Sequence, residues 1–321
     1  MQLCLSAVIK GLSTADSFEQ NLEVGGRSAT LSTVSETIDQ TVDEPGLFHS
    51  EGYASSPDPT PNDPPWGTGV AVATWLFSVA LIMIVPAVFL IPYAISQNSV
   101  YADGAELMKA LGSDPVAIAI QIAAIIPAHL LTLAAAWLVV TRRRTFPFLK
   151  TLGWQTGGMK WWHYLAIMAA FFLLSVVVGK LLPEQDNDLL RILRSSRYVV
   201  FLVAFMATVT APLVEEVIYR GLLYSALQRS VGVRAAVAIV TFLFAIVHLP
   251  QYWPSVSTMI LLTTLSLTLT LVRVRTDNLL PCFILHTIFN GVQSLLFILG
   301  PYIGLENTTE DTVSSFVHLL K

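Results

Sequence analysis

Charge is what this chain has least of. Of its 321 residues only 12% are Asp, Glu, Lys or Arg, while 54% are apolar. A soluble domain carries about 25% charged and about 45–50% apolar residues, so the deficit excludes an ordinary water-soluble domain and points to a chain that crosses a membrane several times. Basic runs of the kind that bind nucleic acid are missing too. The net charge is −4, and residues 1–65 hold Lys10 and Arg27 against a large excess of Asp and Glu, which leaves no nucleic-acid partner to expect. Cysteine is nearly absent. Cys4 lies in a polar segment and Cys282 in a predicted span, which argues against a disulfide framework and makes Cys282 a small buried hydrophobe. The run from Leu3 to Ile9 is short and no base precedes it, unlike a signal peptide. No internal repeat is visible.

What is present divides into four regions. Residues 1–65 are rich in Ser, Thr, Asp, Glu, Gly and Pro and end in a Pro-rich run from Ser55 to Pro65. Such a stretch buries too little apolar surface to offset its ordering entropy, and is expected to be a disordered acidic tail. Residues 66–196 carry three apolar spans and an interfacial segment, residues 197–300 carry the remaining spans, and residues 301–321 form a C-terminal tail. Spans are predicted at 70–95, 115–140, 161–178, from 198 into a pair of glutamates, 235–249, 256–272 and 279–299. The expected fold is therefore all-α, a polytopic transmembrane helical bundle of about seven spans, the short fifth and long fourth leaving about six to eight open.

Local signals refine this layout. Pro86 and Pro92 are expected to kink the first span, and Trp66, Trp75 and Tyr93 suit interfacial positions. Residues 97–114 read as a polar loop, 189–194 as a short amphipathic helix lying at the interface, and 250–254 as the turn that ends the fifth span. Arg142, Arg143 and Arg144, followed by Lys150 and Lys160, form the strongest basic cluster beside any span. By the positive-inside rule that loop is cytoplasmic, as is the N-terminal tail of a multi-pass cell-membrane protein. Arg229, Arg234, Arg273 and Arg275 fall on the same side; Arg191, Arg194 and Arg197 fall on the other.

Three polar clusters interrupt the apolar runs. Ionisable groups are costly in hydrocarbon, and mark functional sites by default. The first is Glu215-Glu216-x-x-x-Arg220. Residues four apart share a helix face, so Glu216 meets Arg220 in a structural ion pair. Glu215 points about 100° away, has no local cation, and is free to act as a general base. Pro212 is expected to bend the helix or start a new one, putting both glutamates in a first turn where the helix dipole favours negative charge. The second cluster is His248, four residues after Phe244. The third is His286-x-x-x-Asn290, with His and Asn on one face of the last span and directed into the bundle. Glu215, His248, His286 and Asn290 thus come from three spans. Imidazoles with a carboxylate serve either as zinc-type ligands or as an acid/base and hydrogen-bonding set. The His-Glu-x-x-His pattern of soluble zinc proteases and an evident nucleophile triad are both missing. Water activated by a carboxylate, with or without a metal, is the reaction left. His129 is a lone histidine in the second span, His163 sits beside Trp161 and Trp162 at an expected interface, Lys180 ends the third span as a snorkelling side chain, and His318 lies near the C-terminus.

These three motifs, in this order and without substitution, resemble the CPBP family of intramembrane proteases, which includes CAAX prenyl endopeptidases of the Rce1 type and the bacterial bacteriocin-processing and immunity (Abi) proteins. The resemblance covers residues 197–300. It implies an intramembrane endopeptidase acting on a peptide or membrane-protein substrate, or on a prenylated CAAX-type tail. Glu215 would be the water-activating base with His248 beside it, Glu216 and Arg220 would hold the helix, and His286 and Asn290 would stabilise an oxyanion or help bind a metal. A zinc or other divalent ion would require Glu215, His248 and His286 together as ligands, and would lower the pKa of its water to about 7; a metal-free mechanism stays open. The alternatives are a non-catalytic scaffold or immunity partner of the same family, and a transporter using the polar cluster as an ion path.

Overall fold

The computed structural model describes residues 58–97, 103–182 and 185–302. Residues 1–57 of the tail expected at 1–65, most of the C-terminal tail, Cys4 and His318 lie outside the described residues. The described residues contain no strand, and seven helices are long and apolar enough to cross a membrane: α1 (Thr68–Gln97), α3 (Pro115–Val140), α5 (Trp161–Leu181), α7 (Arg197–Val231), α8 (Val233–Tyr252), α9 (Val256–Thr276) and α10 (Leu280–Leu299). Shorter helices α2 (Gly104–Leu111), α4 (Phe148–Leu152) and α6 (Asp188–Ser195) lie between them. The protein is a polytopic helical bundle. Hydrocarbon offers no water to unpaired backbone groups, so apolar runs of this length close their hydrogen bonds internally. Side chains such as Leu76, Phe77, Ile84, Leu165 and Leu173 remain exposed on the outside, where lipid meets them.

Helix starts follow short polar caps. Asp114 accepts from the Val116 amide with Pro115 in the first turn of α3, Ser196 accepts from Tyr198 at the start of α7, and Ser255 accepts from Thr258 at the start of α9. Each side-chain oxygen satisfies an amide that the helix itself leaves unpaired.

Several local expectations are corrected. The 97–114 loop contains α2, capped by Asp103 and burying Leu107 and Leu111; its apolar residues are spaced by one turn within an otherwise polar stretch. The fifth span does not end at Pro250. Helix α8 runs to Tyr252, because the missing proline amide removes one bond and the next turn still closes from Trp253 N–H to the Leu249 carbonyl at 2.9 Å. Pro86 and Pro92 both lie within α1. Trp66 is buried, and its indole N–H donates to the Leu222 carbonyl at 3.2 Å; it packs in the core and does not anchor an interface.

The tail boundary also moves. Residues 60–65 belong to the bundle: Arg273 donates to Asn62 Oδ1 and the Pro61 carbonyl, Gln228 donates to Asn62, and Arg229 pairs with Asp63 at 2.7 Å. These side chains tie the segment across the ends of α7 and α9.

Helix α7 is the centre. Every residue from 216 to 227 is buried, the mark of a helix enclosed on all sides. It packs against α1, α3, α8 and α10. The approach of α10 is fixed at Gly153, whose carbonyl accepts from the Leu279 amide at 2.8 Å. Gly153 has φ +76°, and a Cβ there would lie 2.8 Å from Pro61 Cγ and 3.0 Å from Asn278 Cα. Gly153→Ala is expected to cost about 1–3 kcal/mol, seen as a lower thermal midpoint of the purified protein.

Candidate active site

The site is built on an irregular stretch of α7. Two π-helical segments, Met206–Thr210 and Glu216–Leu223, flank a short α-helical piece, Ala211–Glu215. π turns inside α-helices concentrate at functional sites. Pro212 neither ends the helix nor starts a new one. Glu215 and Glu216 therefore lie mid-helix, not in a first turn as the proline suggests. The reason is visible in the bonding. The Ala211 amide donates to the Met206 carbonyl, five residues back. In that register residue 212 would pair with Ala207, and proline has no N–H to give. Asn290 of α10 supplies the donor, its Nδ2 lying 2.8 Å from the Ala207 carbonyl.

The two glutamates diverge as their spacing predicts. Glu216 is fully buried and pairs with the fully buried Arg220 at 3.0 Å. Glu215 keeps 21% of its side chain exposed. Across from it stand two imidazoles. His248 Nδ1 is 2.7 Å from the Phe244 carbonyl; a carbonyl only accepts, so Nδ1 carries the proton and Nε2 faces Glu215 Oε1 at 3.9 Å. His286 Nδ1 is 2.8 Å from Glu216 Oε1, which assigns that nitrogen as a donor too, and its Nε2 lies 3.7 Å from Glu215 Oε2. Both gaps exceed direct hydrogen-bond reach, so a water seated beside the two groups is what would join them.

Arg220 is held on all sides. Nη1 donates to Glu216, Nη2 to the Ser266 carbonyl and hydroxyl at 3.0 and 2.9 Å, and Nε to the Thr270 hydroxyl at 3.3 Å. Its guanidinium also sits over the Phe244 ring at 4.8 Å. Phe244 also touches His248, with ring centroids 4.6 Å apart. A buried pair offsets its desolvation only when its remaining hydrogen-bonding sites are filled; Ser266 and Thr270 fill those of the arginine. Neither is marked in the sequence, because α9 carries Ser and Thr at many positions, and most bond their own helix.

The structure brings Glu215, Glu216, Arg220, His248 and His286 together, and brings Asn290 to the α7 backbone. His163 caps α5, accepting at Nδ1 from the Lys160 amide. His129 is buried and contacts Thr210 in the first π segment. As donors, two imidazoles and a carboxylate have the chemistry of a zinc site. As placed, no three His, Cys, Asp or Glu side chains among the described residues are grouped closely enough to hold a metal ion.

Residues 197–292 match the model of a family described as type II CAAX prenyl endopeptidase Rce1-like. The matched segment holds all three polar clusters and leaves α1 to α6 outside it. The family implies a protease, and with seven apolar helices it implies a multi-pass membrane protein. Neither the curated proteins nor the solved structures searched contain a match.

Proposed function

We propose that the protein is an intramembrane endopeptidase in which Glu215 activates a water against a peptide carbonyl. The observation that carries this reading is the unequal treatment of two adjacent carboxylates. Glu216 is engaged by Arg220 and His286, whereas Glu215 faces two imidazole Nε2 atoms across gaps of 3.9 and 3.7 Å.

In this mechanism a water lies between Glu215 and the histidines. Glu215 takes its proton as the oxygen adds to the peptide carbonyl carbon, and the carbonyl oxygen becomes an oxyanion. Doubly protonated His286 donates through Nε2 to that oxyanion while Nδ1 donates to Glu216, whose charge stabilises the imidazolium from behind. Collapse breaks the C–N bond, and Glu215 passes its proton to the departing amine. The products are a carboxylate and an amine. His248, fixed by the Phe244 carbonyl, orients the water. Asn290 acts through the α7 backbone that it holds open.

The proposed substrate is a membrane-associated peptide, with a prenylated Cys-a-a-X tail as the narrower form; the family description supports this reading. It enters laterally from lipid or from the cytoplasmic side, where the Arg142–Arg144 loop and the N-terminal segment are assigned. A zinc or similar ion, if bound at Glu215, His248 and His286, would supply a water of lowered pKa; no step above depends on it.

The test is cleavage by the purified protein in liposomes, with membrane-anchored and prenylated peptides and mass analysis of the fragments. Two fragments summing to the substrate plus one water are expected, and the rate is expected to survive exhaustive chelation. Loss of activity on chelation with recovery on added zinc would reverse the metal-free assignment. A scaffold or immunity partner would bind such peptides and leave them intact.

A further inference from the structure

His129 is a buried histidine that the mechanism above does not use. It comes from α3, outside the matched segment, and only 4% of it is exposed. Its Nδ1 lies 3.0 Å from the Thr210 hydroxyl. That hydroxyl leans toward the Met206 carbonyl at 3.3 Å, one turn back, which leaves its lone pairs to accept from the imidazole. Thr210 closes the π segment Met206–Thr210 and lies five residues before Glu215.

The same π turn is held from α10. Asn290 donates to Ala207, and the Thr208 hydroxyl donates to Ser294 at 3.4 Å. A π turn exposes backbone and side-chain oxygens that an α-helix would bury, and each bond from a neighbouring helix selects that register over the regular one. The piece Ala211–Glu215 rides directly on this turn.

We infer that His129 is a positioning residue: by its hydrogen bond to Thr210 it clamps the opened turn of α7 from α3, as Asn290 does from α10, and so sets where the Glu215 carboxylate points. The inference rests on the proposed role of Glu215 as base. Misplacing a reacting group by about 1 Å costs on the order of 10²-fold in rate, which sets the expected effect.

The experiment uses the full chain in liposomes with four variants, reading kcat and KM for a cleavable membrane peptide and hydrogen exchange over residues 206–215. His129→Ala and Thr210→Val should each lower kcat by about 10²-fold with KM unchanged, and each should raise exchange in that segment. The double variant should be no slower than either single one, since both remove the same bond. His129→Asn, whose amide can donate from the position of Nδ1, should bring kcat back to within about tenfold of wild type and restore protection. Wild-type kcat and exchange in both single variants would overturn the inference, as would an Asn variant as slow and as exchangeable as the Ala variant. If His129→Ala fails to fold, Thr210→Val carries the same reading. A wild-type protein that cuts nothing would sink the hydrolase reading, while the exchange data would still decide the clamp.

Discussion

Glu215→Gln is expected to lower the rate of peptide cleavage by roughly 10²–10⁴-fold, the contribution typical of a general base, while the protein inserts and purifies as the wild type does. Glutamine keeps the length and shape of the side chain and removes only its capacity to take a proton. The site tolerates it. Among the described residues Glu215 makes no side-chain hydrogen bond, His286 approaching only to 3.7 Å, and part of its side chain is exposed. Neutralising it therefore strands no buried partner. The expected signature is a fall in kcat with KM held, because the interaction lost exists only in the transition state. Single-turnover cleavage of a membrane peptide in liposomes measures it. Glu215→Asp sharpens the reading: it keeps the charge but withdraws it by one methylene, and should itself lose on the order of 10²-fold. A Gln variant that cuts at the wild-type rate would remove Glu215 from the chemistry.

Much of this site is legible in the sequence for a simple reason. Hydrocarbon makes apolar runs long and polar exceptions costly, so both spans and exceptions stand out. The helical period then separates Glu215 from Glu216 and assigns Arg220 to the second, as the 3.0 Å pair bears out. Contacts between distant segments are what remain hidden. Thr60 to Pro65 have a tail-like composition, yet Asn62 and Asp63 find partners on α7 and α9 more than 160 residues away. Pro212 reads as a helix breaker because its rescue comes from Asn290 on another helix. His129 and Thr210 are separated by 81 positions, and no spacing rule connects them. Ser266 and Thr270 dissolve into a helix rich in hydroxyls. Each miss is a hydrogen bond between elements, decided by packing and invisible to period or propensity.

Removing the arginine should have the largest effect on the fold. Arg220→Met keeps a comparable apolar stem and deletes the guanidinium that meets Glu216, Ser266 and Thr270. Thr270 retains its own bond to the Ser266 carbonyl at 2.7 Å, so the hydroxyls suffer little. Glu216 does not. It is wholly buried; among the described residues one of its oxygens has no hydrogen-bond partner, and without Arg220 only His286 answers its charge. Breaking a buried pair on one side costs roughly 3–5 kcal/mol, seen as a steep drop in thermal midpoint and in yield of folded protein. Adding Glu216→Gln to Arg220→Met should recover at least half of that loss, because no charge is then left unpaired. Activity should not follow. A glutamine oxygen still accepts from His286 Nδ1, but it brings no negative charge to stabilise the imidazolium, and an orienting partner of this kind is worth about 10–100-fold. The double variant is thus expected to be stable and slow. Were it both stable and fully active, Glu216 would be a structural counter-ion alone; were Arg220→Met as stable as wild type, the buried pair would not be what holds α7 in place.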